Sequence, residues 1–125
     1  PHARHDKEHA FVDAAFGMLG LETAFAVLHD LLVADGRLGW ADLTRLMSTA
    51  PARIAGLLDH GHPVAAGAPA NLVLVDPTAE LSVDRDASQS LSRNTPWHGQ
   101  TLTGAVHTTI LRGRVTARGG EPTAC

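Results

Sequence analysis

The sequence of 125 residues contains no tyrosine, only 4% aromatic residues and a single cysteine, Cys125, at its last position. A hydrophobic core must therefore be built from Leu, Val and Ala, and we expect it to be thin. One cysteine excludes an intrachain disulfide and favours a reducing compartment. With 44% hydrophobic and 18% charged residues, the chain can still form one modest globular unit, and the composition excludes a disordered or fibrous protein.

The sequence also lacks clustered positive charge and long apolar runs. Its formal net charge is −3 and its Lys and Arg residues are scattered, so nucleic acid is not an expected partner. The longest apolar stretch is interrupted by His29 and Asp30 and is too short to span a membrane. The start from Pro1 to His9 is polar and carries no secretory signal, and without an initiator Met it indicates a fragment. We therefore expect a cytoplasmic protein.

Apolar periodicity predicts helices in the first half of the chain. Leu, Ala and Phe recur at helical spacing over residues 21–32, and Gly36 supplies the usual stop after a helix. A second, shorter helix is expected over residues 40–48. A third is expected over residues 51–58, because Pro51 suits a first helical turn.

From Gly61 onward the sequence has the character of β structure, because Gly and Pro punctuate short β-branched runs. The expected strands are Asn71–Val75, Leu81–Val83, Ala105–Leu111 and Arg114–Thr116. Arg112-Gly113 predicts a hairpin turn, and the polar residues 84–100 predict a loop. Helices followed by strands argue for two structural pieces with a boundary near residues 58–63.

Residue types that bind metals cluster near the start of the chain. His2, His5, Asp6 and His9 are three or four residues apart, and on a helix they would share one side. No apolar periodicity supports such a helix, so a solvated polar loop is the favoured interpretation. His2 needs a separate explanation.

His60 and His62 have the His-x-His spacing with which metal-dependent amidohydrolases hold a zinc ion, since alternate strand residues point the same way. The family's pair ends a buried apolar strand. Here Pro63 follows the pair, and the β region has yet to begin. We interpret both histidines as residues of a solvated turn and not as ligands.

No catalytic acid, base or nucleophile stands out. Asp76, Asp84 and Asp86 have no second acid or base placed beside them by a helical or strand period, and they are typical of turns. The serines of residues 88–92 lie in a polar loop without a Gly-x-Ser-x-Gly elbow, so nothing supports nucleophilic catalysis.

Several stretches nevertheless resemble dihydroorotases of the longer, bacterial type, and together they cover nearly the whole chain. They are Pro1-His2 with Lys7-Glu8, residues 14–23 (Ala14-Ala15-Phe16-Gly17 through Gly20-Leu21-Glu22-Thr23), residues 48–57, residues 67–76, residues 92–97, and residues 102–104 with 109–113. In that family the first stretch begins Asp-His-Ala-Pro-His and continues to Phe-Gly and Gly-Leu-Glu-Thr. The sequence departs from the pattern at Asn71, where the family usually has Asp, and at Ala15 and Ala50, where Pro and Asn are common.

The resemblance implies an α/β fold, the C-terminal end of a metal-dependent (β/α)8 amidohydrolase barrel plus a small β-sandwich domain. Residues 1–60 would be the last barrel loop and the closing helices. Residues 61–125 would be the C-terminal part of the β-sandwich domain. The functional end of such a barrel is its C-terminal face.

The resemblance also implies the chemistry, which is reversible hydrolysis of dihydroorotate to N-carbamoyl-aspartate in pyrimidine biosynthesis. Two zinc ions would be held by a His-x-His pair, a carboxylated Lys, two His and an Asp, none of which matches a residue here; the Asp would lie before Pro1. His2 matches a histidine that binds the substrate carboxylate. Phe16 and Gly17 match a pair whose backbone hydrogen-bonds the pyrimidine ring. By itself the chain is expected to be inactive.

The implied partners are the small-molecule substrate, the remainder of the barrel, and either further copies of the protein or aspartate carbamoyltransferase. Two other interpretations stay open. Allantoinases and hydantoinases share the fold, although the position of His2 is usually not His in them. The second interpretation is that the chain belongs to a non-catalytic dihydroorotase homologue that serves as an assembly partner.

Overall fold

The computed structural model describes residues 4–124 and divides them into a helical part followed by a β part. His2 lies outside the described residues. Within them, no helix is both long and apolar enough to cross a membrane. The helical elements are a 3-10 helix at Arg4–Lys7, α1 at Ala24–Leu28, a π-helical segment at His29–Ala34, α2 at Trp40–Thr44, a second π-helical segment at Arg45–Thr49, and α3 at Ala50–Ile54.

The first predicted helix is present, and the predicted stop is confirmed. Helix α1 begins three residues later than the apolar pattern suggested and continues through the π-helical segment to Ala34. Gly36 then adopts φ of 73°, and its amide donates to the carbonyl of Val33 at 3.0 Å. A positive φ costs glycine little, which is why this residue type so often follows a helix.

The second and third predicted helices form one unbroken helical segment from Trp40 to Ile54, so the predicted gap before Pro51 is wrong. Proline lacks an amide hydrogen and crowds the carbonyl four residues before it. The wider π-helical turn at Arg45–Thr49 contains Met47, the residue four positions before this proline, where an irregular turn relieves that crowding. The segment also ends earlier than predicted, with Gly56 at φ of 68°.

The β part is one antiparallel sheet whose four strands pair in chain order. Strands β1 and β2 are long, and β3 and β4 extend the sheet on the far side of β2. The bounds are Leu72–Ser82 for β1, Thr101–Leu111 for β2, Arg114–Arg118 for β3 and Glu121–Pro122 for β4. The predicted hairpin turn is confirmed, because Arg112 and Gly113 connect β2 to β3 with φ of 48° and 81°.

The two strands predicted around residues 71–75 and 81–83 are halves of β1, so the prediction of separate strands is wrong. Their junction is a bulge between Asp76 and Glu80, where the register against β2 shifts. A carboxylate oxygen of Asp76 accepts hydrogen bonds from the amides of Thr78 at 2.8 Å and Ala79 at 3.1 Å. This local turn absorbs Pro77, which cannot donate to a neighbouring strand, and the interpretation of Asp76 as a turn residue is confirmed.

The hydrophobic core is thin, as the composition predicted. Ala26 of α1, Leu102 of β2 and Val83, the residue that follows β1, are buried together, and Trp97 packs against them. By contrast, the helical part leaves large apolar side chains on its surface; those more than four-fifths exposed include Phe11, Phe16, Leu21, Ile54 and Leu58. Many exposed large apolar side chains are typical of a protein surface that packs against further protein.

Two polar side chains of the first π-helical segment attach it to β2. The Nδ1 atom of buried His29 donates to the carbonyl of Thr103 at 2.9 Å, and a carboxylate oxygen of Asp30 accepts from the Thr103 amide at 3.2 Å. Gly104 makes this approach possible, because a Cβ atom there would lie 2.6 Å from His29 Nδ1. The residues that interrupt the apolar stretch of the sequence thus connect the helical part to the sheet.

A second connection explains the departure from the dihydroorotase pattern at Asn71. Its side-chain NH₂ donates to the carbonyl of Asp59 at 2.7 Å, while its side-chain oxygen accepts from the amide of Arg112 at 2.8 Å. An aspartate could accept but could not donate. The amide side chain therefore joins the turn after α3 to the β2–β3 hairpin.

We predict that Gly104→Ala destabilises the protein more than Gly67→Ala does. Both glycines have positive φ, 99° and 83°, so each alanine costs about 1–2 kcal/mol of backbone strain. Only at Gly104 would the new Cβ atom meet another group, His29, whereas nothing lies within 4 Å at Gly67. The clash adds about 1–3 kcal/mol, measurable as a larger drop in the midpoint of thermal or urea unfolding. Equal losses for the two variants would contradict the proposed fit between His29 and Gly104.

Candidate functional site

The candidate site is built around the loop that precedes α1, at the Phe16-Gly17 pair singled out from the sequence. The Phe16 side chain is 91% exposed. Gly17 has φ of 91°, and a Cβ atom added to it would have no other atom within 4 Å. Within residues 4–124, no group accepts a hydrogen bond from the amides of Phe16, Gly17 or Met18. Three successive amide donors are therefore available to a ligand at this loop.

Lys7 holds the loop from one side. Its ammonium donates to the carbonyl oxygens of three successive residues, Ala15 at 2.5 Å, Phe16 at 2.9 Å and Gly17 at 2.8 Å. The amide of Ala15 also donates to the carbonyl of Asp6 at 2.9 Å. The 3-10 helix that carries Lys7 is thus fastened to the Phe16-Gly17 loop at several points.

The long loop between β1 and β2, residues 83–100, holds the other side. Asn94 donates its side-chain NH₂ to the carbonyl of Gly17 at 2.6 Å, across 77 residues of sequence. Its own backbone carbonyl accepts from the amide of Leu19 at 2.7 Å. This loop has neither helix nor strand, as predicted, but it packs against the candidate site.

Glu22 provides the second attachment of the same loop. Its carboxylate accepts from the hydroxyl of Ser88 at 2.6 Å and from the amides of Gln89 and Ser90 at 3.2 Å each. The Ser88 hydroxyl is the largest cause of a Glu22 pKa below its ordinary value of 4.5; burial opposes it, and the two amides and Arg93 add to the lowering. Hydrogen bonds to the charged form stabilise that form.

Between the Phe16-Gly17 loop and the loop of residues 83–100 lies an open cavity of about 320 Å³. Lys7 is the only cationic side chain among its lining residues, and its ammonium is directed at the backbone. The lining residues are Lys7, Phe16, Gly17, Met18, Leu19, Ser90, Ser92 and Asn94. Apolar side chains and a few polar ones line this cavity together, a combination that is typical of sites for small ligands.

Among residues 4–124, the histidines considered as metal ligands are not brought together with enough further ligands to hold a metal ion. His62 directs its ring nitrogens at the backbone carbonyls of Pro63 at 3.1 Å and Asp59 at 3.2 Å. His5 is 79% exposed and faces Asp6 at 3.3 Å. In the part of the chain that the structure describes, no three His, Cys, Asp or Glu side chains form a group that could hold a metal ion. The described residues therefore do not fit a zinc site.

The sequence singled out Phe16 and Gly17 but not the residues that hold them in the structure. Lys7 and Glu22 were noted only as parts of the resemblance, and the serines of residues 88–92 were placed in a polar loop. The available clue was that residues 14–23 and 92–97 both resemble dihydroorotases; the structure places these two stretches in contact. Nothing in a local pattern predicts which loop residue reaches Gly17.

Comparison with curated proteins confirms the resemblance to dihydroorotases. The chain is 50% identical over 119 residues to the dihydroorotase of Mycobacterium leprae (strain TN), covering 95% of the chain and 28% of that protein. It is 46% identical over 123 residues to the dihydroorotase of Streptomyces coelicolor, covering 98% of the chain and 29% of that protein. The chain thus spans little more than a quarter of these relatives and corresponds to their C-terminal portion. No protein-family model matches the chain.

Solved structures of hydantoinases share the fold. The L-hydantoinase (dihydropyrimidinase) of Arthrobacter aurescens matches with a TM-score of 0.82 and 32% identity, over 90% of this chain and 25% of that one. A D-hydantoinase from a Thermus species matches with a TM-score of 0.84 and 24% identity, over 98% of this chain and 28% of that one. The four-stranded sheet and its helices are thus a portion of the hydantoinase fold.

We predict that Glu22→Gln lowers the stability of the folded protein and that the size of the loss depends on pH. Because the folded-state pKa of Glu22 is lowered from 4.5, its stabilising contribution is fully present above that value and is lost as pH falls through the lowered pKa. The wild type should exceed the variant in melting temperature by about 1–2 °C at pH 7, since Glu22 is exposed and screened by solvent. The difference should shrink below pH 4.5. Glu80→Gln is the matched control for losing one exposed carboxylate; a Glu22 difference independent of pH would refute the assignment.

Proposed function

We propose that this chain is the C-terminal part of a dihydroorotase, a zinc-dependent hydrolase that interconverts dihydroorotate and N-carbamoyl-aspartate. The observation that carries the proposal is the cavity in which Phe16-Gly17 presents amides without a partner among the described residues, beside Asn94. Both stretches that form this cavity are ones that resemble dihydroorotases. The relatives' names support the same activity.

In this proposal the loop contributes backbone hydrogen bonds to the pyrimidine ring. Dihydroorotate carries ring carbonyls that accept hydrogen bonds, and the amides of Phe16, Gly17 and Met18 have no acceptor among the described residues. Gly17 has no side chain to keep a ring away from the backbone. His2 would supply the charge-assisted contact to the substrate carboxylate.

The rest of the site would come from outside residues 1–125. The barrel, the zinc ligands and the Asp expected before Pro1 belong to that remainder, and the zinc would there supply the polarisation and the activated water that amide hydrolysis needs. The exposed apolar side chains of the helical part would pack on the barrel. A cytoplasmic location, and assembly with further copies or with aspartate carbamoyltransferase, are parts of the same proposal.

A hydantoinase-like activity is the second candidate, and the likeness to L-hydantoinase favours it. Hydantoins and dihydrouracil are cyclic amides without a carboxylate on the ring. His2, the proposed ligand of the substrate carboxylate, would therefore contribute to binding dihydroorotate but not to binding a hydantoin or dihydrouracil. A non-catalytic homologue would show neither activity.

The first experiment assays the full-length protein, purified with zinc, on dihydroorotate, hydantoin and dihydrouracil. We expect turnover of dihydroorotate to exceed that of the other two by at least about a hundredfold in kcat/KM, because carboxylate recognition discriminates by several kcal/mol. Preference for a ring without a carboxylate would favour the hydantoinase-like activity. Absence of all three activities in zinc-loaded protein would favour the non-catalytic homologue.

The second experiment replaces His2 by Ala in the full-length protein. Losing one donor to a charged group costs about 1.5–3 kcal/mol, so kcat/KM for dihydroorotate should fall about ten- to two-hundredfold. Zinc content, measured by elemental analysis, should equal that of the wild type. His107→Ala, on β2, is the matched control. Loss of zinc would make His2 a ligand, and unchanged turnover would point to a substrate without the carboxylate.

A further inference from the structure

Lys7 is the only lysine in the sequence, and its three ammonium hydrogens are matched by three backbone acceptors. An ammonium group has three donors and no acceptor. The carbonyl oxygens of Ala15, Phe16 and Gly17 lie 2.5, 2.9 and 2.8 Å from Nζ. The hydrogen-bonding capacity of the ammonium is therefore used within the protein, although the residue lines the cavity.

The convergence of three carbonyls determines where the neighbouring amides point. In a trans peptide the C=O and the following N–H point in opposite directions. The carbonyls of residues 15, 16 and 17 share their peptide planes with the amides of Phe16, Gly17 and Met18, the three amides that find no acceptor within residues 4–124. With the carbonyls directed at Lys7, these amides are directed away from it.

Such a backbone arrangement requires an alternation of conformation that glycine permits. Successive peptides point to the same side only where right-handed and left-handed φ values alternate, as in the anion-binding concavities called nests. Gly17 has φ of 91°, which an L side chain rarely adopts. The Lys7 ammonium stabilises this conformation from the carbonyl side.

Asn94 holds the same peptide from a second direction. Its NH₂ reaches the Gly17 carbonyl at 2.6 Å, so this oxygen accepts from both Lys7 and Asn94. The Asn94 carbonyl accepts from Leu19 at 2.7 Å, which ties the next turn of the loop. Asn94 is half-buried, and its hydrogen bond to the Gly17 carbonyl restricts the loop at the protein surface.

We propose that Lys7 and Asn94 are positioning residues that orient the amides of Phe16, Gly17 and Met18 towards the ligand, and that Lys7 does not itself bind the substrate carboxylate. The inference concerns the cavity of the proposed function and rests on it for the identity of the ligand. The hydrogen-bond geometry is independent of that identity. The competing role for a lone lysine at a cavity is direct charge pairing with an anionic substrate.

The test measures loop order and kinetics in the full-length protein for Lys7→Met, Lys7→Arg and Asn94→Ala, with Arg37→Met as the control for loss of an exposed cation. Loop order is measured by hydrogen exchange at the amides of Ala15 and Leu19, which are hydrogen-bonded at the two ends of the loop. Exchange of both should rise at least about tenfold in Lys7→Met, since several charge-assisted hydrogen bonds are lost. The exchange rate in Lys7→Arg should lie between those of the wild type and Lys7→Met, because a planar guanidinium cannot reach three convergent carbonyls.

Kinetically, Lys7→Met and Asn94→Ala should raise KM for dihydroorotate about tenfold or more with a smaller change in kcat, because the oriented amides bind substrate before and during reaction. Wild-type exchange at Ala15 and Leu19 in both variants would overturn the proposal. A raised KM with unchanged exchange in Lys7→Met alone, restored by Lys7→Arg, would overturn it in favour of charge pairing.

The outcomes separate the positioning role from the proposed function. If the full-length wild type lacks dihydroorotase activity but exchange rises in the variants, the positioning role is supported and the proposed function is refuted. If Lys7→Met fails to fold, Asn94→Ala tests the same amides through a neutral side chain. Unchanged exchange in Asn94→Ala would then overturn the proposal.

Discussion

The attachment of His29 and Asp30 to Thr103 is the constraint on which the rest of the structure depends. The Phe16-Gly17 loop leads into α1, and the loop of residues 83–100 leads into β2, so the joint between these elements sets the distance between the two loops. The joint requires Gly104, because a side chain at that position would displace the His29 ring. A thin core of Ala26, Val83 and Leu102 could not align the elements alone, since small apolar side chains provide little directional restraint.

The candidate site is held by hydrogen bonds where a larger protein core would use apolar packing. The Lys7 ammonium contacts three backbone carbonyls, the Glu22 carboxylate contacts two backbone amides and a hydroxyl, and the Asn94 carboxamide contacts one carbonyl. Hydrogen bonds to charged groups contribute about 1.5–3 kcal/mol each when shielded from water and less at the surface. These contacts therefore orient loops more than they stabilise the fold, as the proposed binding of a ligand by backbone amides would require.

The second physical constraint on the fold is that the exposed apolar side chains of the helical part favour burial against further protein. Leu21, Ile54 and Leu58 are more than four-fifths exposed, although the same part of the chain also buries Ala26, Leu43 and Ala52. The chain spans little more than a quarter of its dihydroorotase relatives. Burial of this surface against the remainder of such a protein would provide the apolar packing that these 125 residues do not provide among themselves.

The sequence by itself determined the features that depend on neighbouring residues. Gly36 ends a helix, Arg112-Gly113 forms a hairpin turn and Asp76 forms a turn, because backbone preference and short side-chain reach decide such local structure. The motif stretches likewise indicated the family resemblance and the Phe16-Gly17 pair. Only the tertiary structure decided that Pro51 lies within one helical segment, that two strand-like runs form β1, and that Glu22 binds Ser88, 66 residues away. Contacts over such separations depend on how helices and strands pack, and no local periodicity encodes that distance.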